Sequence, residues 1–438
     1  MITHRLKIKK LGPIEECELT CSKFMTLTGF QASGKSTVAK AVYYFRTVKD
    51  DIYDIVEQRA AQALQNMKSQ NINLVKELMD VLRKKFLQLF GSSWGMDQDM
   101  KLEYYYTEDC YISISLKEEN VYPSPNYIWI ELSDKLKNFL ARSNNALSST
   151  TALIPEQQKL KFRSELQEFF DDRYSVVYIP AGRSMLTLLA QQLSYIYTIM
   201  DESLKRTLDY CTQKYIENIL KIKPEFSDGL IGLMAYNVGN KRSTLEQALK
   251  LINKILRGSY RADNDNERIM LENGKYVKIN FASSGQQEAV WILNLLFYCL
   301  VQDRPYMLII EEPESHLFPE TQKDIVELIT LVANNGHSML VTTHSPYVLG
   351  TLNNLLYAGS FKGSEKKEQA SKRISNLYWL DYRDFNAWFV RDGKLEDCMD
   401  SELHLIQNEK IDEISDVINQ DYDYLFELRH GGEMSDAY

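Results

Sequence analysis

Eight consecutive residues, Gly29-Phe30-Gln31-Ala32-Ser33-Gly34-Lys35-Ser36, fit the pattern GxxxxGK[ST] in full. They follow an apolar stretch at 24–28 and precede a helical-looking run at 36–44, the strand–loop–helix setting in which such a loop can hold phosphate. Glycine lets the backbone curl so that successive N–H groups face phosphate oxygens, and a helix N-terminus adds a favourable dipole. The expected phosphate-binding residues are Gly29, Gln31, Ala32, Ser33, Gly34, Lys35, Ser36 and Thr37. Lys35 would reach the β- and γ-phosphates, and the Ser36 hydroxyl would ligate Mg²⁺. A glycine turn beside an exposed lysine is the competing explanation, and the strand–loop–helix setting argues against it.

Two further stretches supply acid and base. Met307-Leu308-Ile309-Ile310-Glu311-Glu312-Pro313 is an apolar run ending in two carboxylates. A continuous apolar run suits a central parallel strand covered on both faces, and ligand chemistry gathers at the carboxyl ends of such strands. Glu311 is expected to hold Mg²⁺ or its water, and Glu312 to orient or deprotonate an attacking water. Val341-Thr342-Thr343-His344-Ser345 repeats the geometry about one strand–helix–strand step later. Placed beside a γ-phosphate, His344 could donate a hydrogen bond that reports its presence. His4, His337, His404 and His430 lack such a setting and read as structural. Phe281-Ala282-Ser283-Ser284-Gly285-Gln286-Gln287-Glu288 introduces an apolar helix at 289–300, for which a serine N-cap alone would suffice.

The elements that must position these residues are legible in outline. Alternation at 6–9 and 16–20, with Gly12-Pro13 between, predicts two half-exposed strands before the apolar strand at 24–28. Residues 51–90 look helical, with Leu74, Leu78, Val81 and Leu82 at three-to-four spacing and Gly91 as the stop. Residues 102–132 have strand character, 144–151 read as a polar loop, and Val176-Val177-Tyr178-Ile179 reads as a buried strand closed by Pro180. Residues 184–256 are expected to be mostly helical. The last of these helices would open with a capping box from Ser243 to Glu246 and stop at Gly258. Strands and helices alternate again from about 278, 365–373 reads as a charged surface loop, and the tail from about 395 as acidic and helical. The fold class expected is α/β with a mixed sheet, an antiparallel β lobe and an inserted helical region. Residues 1–50 and 278–394 would be the two halves of one domain, 51–277 a helical insertion with short β segments, and 395–438 the tail.

Composition sets the outer limits. With 438 residues, 44% hydrophobic and 25% charged, the chain is neither disordered nor a disulfide scaffold. A net charge of -9 excludes a globally basic nucleic-acid coat, though not a local basic groove. Six scattered cysteines without a CxxC pair read as free thiols of a reducing compartment. No run is long and apolar enough for a signal or membrane segment, so a cytoplasmic protein without membrane contact is expected.

Taken together, the four motif stretches resemble the nucleotide-binding domains of ABC-type P-loop ATPases. The nearer likeness is to the branch holding the SMC proteins, RecF and the OLD (overcoming lysogenization defect) family. The resemblance makes Gly29 to Ser36 the Walker A loop and residues 282–286 the counterpart of the LSGGQ signature. It makes Glu311 and Glu312 the Walker B acid and catalytic glutamate, residues 314–317 the D-loop, and His344 the switch histidine. The run Glu311-Glu312-Pro313-Glu314-Ser315-His316-Leu317-Phe318-Pro319 and the run Thr343-His344-Ser345-Pro346 look particularly like OLD-type ATPases, as does the Gly12-Pro13-Ile14 turn. Glu311 stands where the wider class has aspartate, and Ser284 where the signature usually has glycine. Gln58 and Gln62 are the candidates for a Q-loop glutamine.

That resemblance implies ATP and Mg²⁺ as ligand and cofactor, and a composite site in a homodimer or higher oligomer. Ser283, Gly285 and Gln286 would lie at the partner's nucleotide, with Ser283 and the Gly285 amide meeting its γ-phosphate. OLD nucleases carry a TOPRIM domain after the ATPase, whereas fewer than 100 residues follow His344 here. The DxD match at Asp421 and Asp423 is better read as acidic tail than as a metal pair. The layout is therefore similar to ATPase subunits of anti-phage systems such as PARIS and Septu, which act with a separate TOPRIM or HNH effector nuclease. The segment from Tyr178 to Ser184 is similar to such ATPases too. Within it, Arg183 either faces nucleotide or partner, or forms an ordinary ion pair at a helix start. A RecF-like ATPase of DNA repair, with DNA as partner, is the alternative. A P-loop kinase or GTPase and a transporter ATPase fit the motif order less well.

Overall fold

The computed structural model describes residues 4–66, 73–92, 95–117, 127–148, 156–184, 186–187, 209–235, 241–263, 266–407 and 419–426. The N-terminal part forms β1 (Arg5–Leu11), β2 (Ile14–Thr20), β3 (Phe24–Gly29) and α1 (Lys35–Arg46). The middle follows as α2 (Val48–Asn66), α3 (Leu74–Phe90), β4 (Lys101–Thr107), β5 (Cys110–Lys117), β6 (Tyr127–Leu132), α4 (Asp134–Ser148), α5 (Glu156–Phe169) and β7 (Ser175–Ile179). Then come α6 (Tyr210–Ile222), α7 (Gly229–Ala235), α8 (Arg242–Leu256), β8 (Ser259–Asp263), β9 (Asn266–Met270) and β10 (Tyr276–Lys278). The rest comprises α9 (Ser284–Val301), β11 (Tyr306–Glu311), α10 (Pro319–Asn334), β12 (Ser338–Thr342), α11 (Pro346–Gly359), α12 (Lys367–Arg373), β13 (Phe385–Arg391) and β14 (Lys394–Asp397).

Eleven of these strands form one mixed sheet in the order β6-β5-β4-β1-β2-β14-β13-β3-β12-β11-β7. From β6 to β2 the pairing is antiparallel, and from β13 to β7 it is parallel. Period-two alternation sends side chains of the parallel half into two separate cores. Leu308 and Ile310 of β11 face a core built on α8, α9 and α10, while Met307 and Ile309 face one built on α1, α2 and α3. This two-sided burial is why β11 reads as an unbroken apolar run. It is also why α9, packed against that sheet, is buried over nearly all of its surface.

The middle of the chain is more than helical. Its strands β4, β5 and β6 extend the sheet beyond β1, and β7 closes the opposite edge beside β11. Several local expectations need correction. Residues 144–148 continue α4, because the polar run holds no glycine or proline to end a helix; 149–151 lie outside the described residues. Helix α8 begins at Arg242 with no side-chain cap, so Ser243 is already inside it, and Glu246 instead pairs with Arg242 at 3.0 Å. Residues 367–373 form a short exposed helix rather than a loop, consistent with their Lys, Glu, Gln and Ala content. The tail expected to be helical from 395 starts as strand β14; residues 419–426 are helical and exposed. The antiparallel sheet of β8, β9 and β10 was not anticipated, although Asn273-Gly274 marks its second turn. All six cysteines are free thiols. Among the described residues no helix is long and apolar enough to cross a membrane.

The N-terminal strand is anchored by a buried polar cluster. The Arg46 guanidinium donates to His4 Nδ1 at 2.8 Å, and His4 Nε2 lies 3.0 Å from the Phe170 carbonyl, which can only accept. The neutral imidazole with its proton on Nε2 satisfies both. Asp172, almost fully buried, takes Lys49 at 2.6 Å and Arg46 at 3.2 Å. Burial, and then the Arg46 charge, push the His4 imidazole down to about 3. The unfolded chain binds a proton at this residue below about pH 6.5, and the folded chain does not until about pH 3. Folding stability should therefore decline as pH falls through that window, by up to about 1.4 kcal/mol per pH unit from this group. Urea unfolding between about pH 7 and about pH 4 should show a shallower loss for His4→Gln than for the wild type. Identical slopes would rule the imidazole out as the source.

Candidate active site

Four adjacent parallel strands, β3, β12, β11 and β7, end on the same edge of the sheet. Their register sets Leu27 beside Thr342, Thr342 beside Glu311, and Ile310 beside Ile179. The glycine loop after β3, the histidine after β12, the acids ending β11 and the Pro180–Ser184 turn after β7 are thereby brought together. A crevice beyond the carboxyl ends of parallel strands is where such sheets bind ligands.

The glycine loop adopts the strained curl that phosphate binding requires. Gly29, Ala32 and Gly34 all have positive φ, at 140°, 60° and 110°. Gly34 caps α1 without any side-chain hydrogen bond, so it offers the first N–H groups of that helix no competing side-chain acceptor. Ser36 is exposed at this end. Lys35 is 6% exposed and folds back to donate to the Gly29 and Phe30 carbonyls at 2.8 and 2.7 Å. Burial lowers its ammonium pKa, opposed by the carboxylates of Glu312, Glu314 and Glu311.

Those carboxylates differ in setting. Glu311 is 7% exposed; one carboxylate oxygen accepts from the Ala181 N–H at 3.2 Å, and the other is buried with no hydrogen-bond partner among the described residues. Glu312 holds a left-handed backbone, φ 43°, immediately before Pro313. Such a conformation costs on the order of 1–3 kcal/mol in a non-glycine residue. It presents a carboxylate 3.1 Å from His344 Nδ1, and since a carboxylate only accepts, the imidazole donates. Glu314, buried, accepts from the Thr343 hydroxyl at 2.5 Å and the His344 N–H at 3.2 Å, so it pins the histidine loop to the acidic turn. Burial raises its carboxyl above the ordinary range. Its orienting contacts were not read from the sequence, although Glu314 stands in the same acidic run.

The signature-like residues lie at the start of α9. Ser283 and Gln286 form a reciprocal capping box, the Gln286 N–H donating to Ser283 Oγ and the Ser283 N–H to Gln286 Oε1. Ser284 is exposed there without positive φ. Gly285 is pressed against the D-loop, where an added Cβ would lie 2.7 Å from the His316 carbonyl. Among the described residues, no hydrogen bond joins Ser283, Gly285 or Gln286 to the phosphate loop of the same chain. Gln58 is exposed on α2, and the side chain of Gln62 lies outside the described residues. His337 is buried and accepts from the Tyr306 N–H, and His404 stacks on Tyr382, so both are structural. His430 lies outside the described residues.

Arg183 is neither at the surface nor aimed at open space. It is wholly buried and pairs with Glu288, five residues into the α9 segment after Ser283. Beside the loop, a cleft of about 630 Å³ is lined by Pro13, Glu15, Phe30, Arg391, Asp392 and neighbouring residues. Its far wall is the tight β13–β14 turn, where Asp392 and Gly393 both have positive φ and the Gly393 carbonyl accepts from the Glu15 and Glu16 N–H groups. Among the described residues no three His, Cys, Asp or Glu side chains form a metal cage. A cation held by one or two protein oxygens and substrate phosphates requires none.

An added Cβ on Gly29 would sit 2.5 Å from the Val390 carbonyl, whereas one on Gly350 in α11 would meet nothing within 4 Å beyond its own helix among the described residues. Gly29→Ala should therefore destabilise by about 1–3 kcal/mol, while Gly350→Ala should be neutral or stabilising. Thermal unfolding of the two variants checks this; equal Tm values would show the β3–β13 spacing to be looser.

A family profile described as an AAA ATPase domain matches residues 1–349. A stretch of 70 residues is 30% identical to the cell division ATP-binding protein FtsE of Mycobacterium tuberculosis, covering 16% of this chain and 28% of that protein. The chain thus spans well under half the length of that relative. The SmcHead bound to the C-winged helix domain of ScpA is 11% identical, with a TM-score of 0.39 over 91% of this chain and 97% of that one. The SMC head domain from Thermotoga maritima is 12% identical, with a TM-score of 0.35 over 91% of this chain and 98% of that one. On the strength of the profile, which covers most of its length, the chain belongs to the AAA_15 family of AAA ATPase domains.

Proposed function

We propose that this chain binds ATP with Mg²⁺ and hydrolyses it at the edge formed by the Walker A loop, Glu311, Glu312 and His344. The observation that carries this reading is their convergence, with Glu312 hydrogen-bonded to His344 and Lys35 within the field of all three acids. The N–H groups at residues 29–37 and the Lys35 ammonium bind the phosphates. Phe30 and the cleft beside it receive the base and ribose. The Glu311 oxygen that has no hydrogen-bond partner among the described residues and the exposed Ser36 hydroxyl suit Mg²⁺, an oxygen-seeking ion that keeps several waters. When bound, Mg²⁺ supplies charge neutralisation at the phosphate oxygens. Glu312 takes the proton of the attacking water, and His344, held by Glu314 through its loop beside the γ-phosphate, orients that carboxylate with its Nδ1–H.

The site is completed by a second copy. Each chain holds one set of motifs, and among the described residues the signature residues make no hydrogen bond to their own phosphate loop. Phe281, Phe318 and Tyr347, next to the signature, D-loop and switch histidine, are 81%, 70% and 56% exposed. Such aromatics suit an interface that closes around ATP and reopens after hydrolysis. The OLD-like motif runs further support a sensor or scaffold subunit of an anti-phage system acting with a separate TOPRIM or HNH nuclease.

Glu312→Gln should lower kcat by about 100-fold or more, with KM for ATP little changed. The same variant should accumulate as an ATP-loaded dimer by size exclusion. Unchanged turnover would remove Glu312 as the base, and a monomer at every ATP concentration would remove the composite site. Co-expressed with its nuclease partner, the wild type should lower phage plaque counts and Glu312→Gln should not. ATP-dependent DNA binding without protection would favour the RecF-like alternative.

A further inference from the structure

The Arg183 guanidinium makes more contacts than an ion pair needs. Nη1 donates to the Pro180 and Glu311 carbonyls, both at 2.7 Å, and Nη2 donates to the Glu312 carbonyl at 2.9 Å. Nε donates to the Glu288 carbonyl at 3.2 Å, while Nη2 lies 3.3 Å from Glu288 Oε1. The Glu288 carboxylate also accepts from the N–H groups of Arg183, at 2.8 Å, and Ser184, at 2.5 Å. The Thr187 hydroxyl adds a bond to the Gln287 carbonyl at 2.8 Å. A single buried cation thus ties three pieces of chain together: the turn after β7, the acidic turn after β11, and the first turns of α9.

We propose that Arg183 is a positioning residue for Glu312, clamping the left-handed acidic turn to the signature helix so that the Glu312 carboxylate stays on His344. The argument rests on the hydrolytic role assigned above to Glu312. A left-handed residue before proline persists only where its surroundings over-determine it. The Glu312 N–H is bound to the Thr342 carbonyl at 2.9 Å, and its own carbonyl is bound to Arg183. With both ends of the residue fixed, its side chain has one direction to leave. Removing the guanidinium would take a hydrogen bond from each of the Glu311 and Glu312 carbonyls, leaving the Glu312 carbonyl with the Ser315 N–H at 3.1 Å, and the turn could relax. Glu288 adds a second consequence: any displacement of the signature helix reaches Glu312 through one side chain.

The test compares Arg183→Lys and Glu288→Gln with the wild type and Glu312→Gln in one steady-state ATPase assay, after each is verified folded by thermal unfolding. Glu288→Gln keeps the shape and one acceptor oxygen, so it remains informative should the buried lysine not be accommodated. The expected result is a roughly 10–100-fold loss of kcat with KM for ATP within about twofold. On a Glu312→Gln background, the same changes should cause almost no further loss, because they act through Glu312. Unchanged kcat in a folded variant overturns the proposal, as does a loss that multiplies with that of Glu312→Gln. If Glu312→Gln itself retains full turnover, the hydrolytic assignment fails instead, and the two failures are distinguishable.

Discussion

The backbone hydrogen bonds that hold β3, β12, β11 and β7 in parallel register govern everything that happens at the sheet edge. Side chains alternate along a strand, so a slip of one residue between β11 and β12 would exchange the faces of every residue on the slipped strand. It would also carry Glu311 and Glu312 past the end of the neighbouring strand and out of reach of His344. The register is secured because each face of this half is buried in its own core, so either direction of slip would expose one set of side chains and strand the other. Precision at the site is a by-product of packing deep inside the layers.

Electrostatics then makes this edge selective. Glu311, Glu312 and Glu314 crowd into a few residues, and Lys35 is a cation that all three influence. A bare polyphosphate would meet repulsion there. A phosphate accompanied by a divalent ion, its charge partly cancelled, would not. The strain of Ala32, Glu312 and His316, all non-glycine residues with positive φ, clusters in the loops that surround this space. Positive φ is not confined to this space, since Lys10, Asp171, Arg257 and His404 share it in other parts of the chain; at the site it falls on residues that carry the proposed chemistry.

The motif residues were legible because their chemistry demands short, ordered patterns: a glycine loop before a helix, acids ending an apolar strand, a histidine ending the next. The central strands were legible because burial on both faces leaves an unbroken apolar run. What stayed hidden depends on contacts between distant positions. Arg183 and Glu288 are separated by over a hundred residues, and neither carries a local signature of the other. The sheet extension by β4, β5 and β6 shows local strand character, but nothing in those residues names β1 as the neighbour. The α8 cap was misread because a Ser-x-x-Glu pattern at 243–246 can sit one turn inside a helix as well as at its start. The Asp392-Gly393 turn, by contrast, was readable in principle, since both residues adopt the positive φ that such hairpins require.

The strand order has one more consequence, for how the chain assembles. Strands β2 and β3 follow each other directly in sequence, yet β14 and β13 lie between them in the sheet. Until residues 385–397 are made and inserted, both neighbours present unpaired backbone edges beside exposed apolar side chains. Synthesis proceeds from the N-terminus, so this gap stays open while most of the chain is being produced. The nascent protein therefore passes through a long interval in which its two half-sheets are templates for aggregation. The β13–β14 hairpin acts as the keystone that joins them, and the cleft beside the phosphate loop comes into being only once it is inserted.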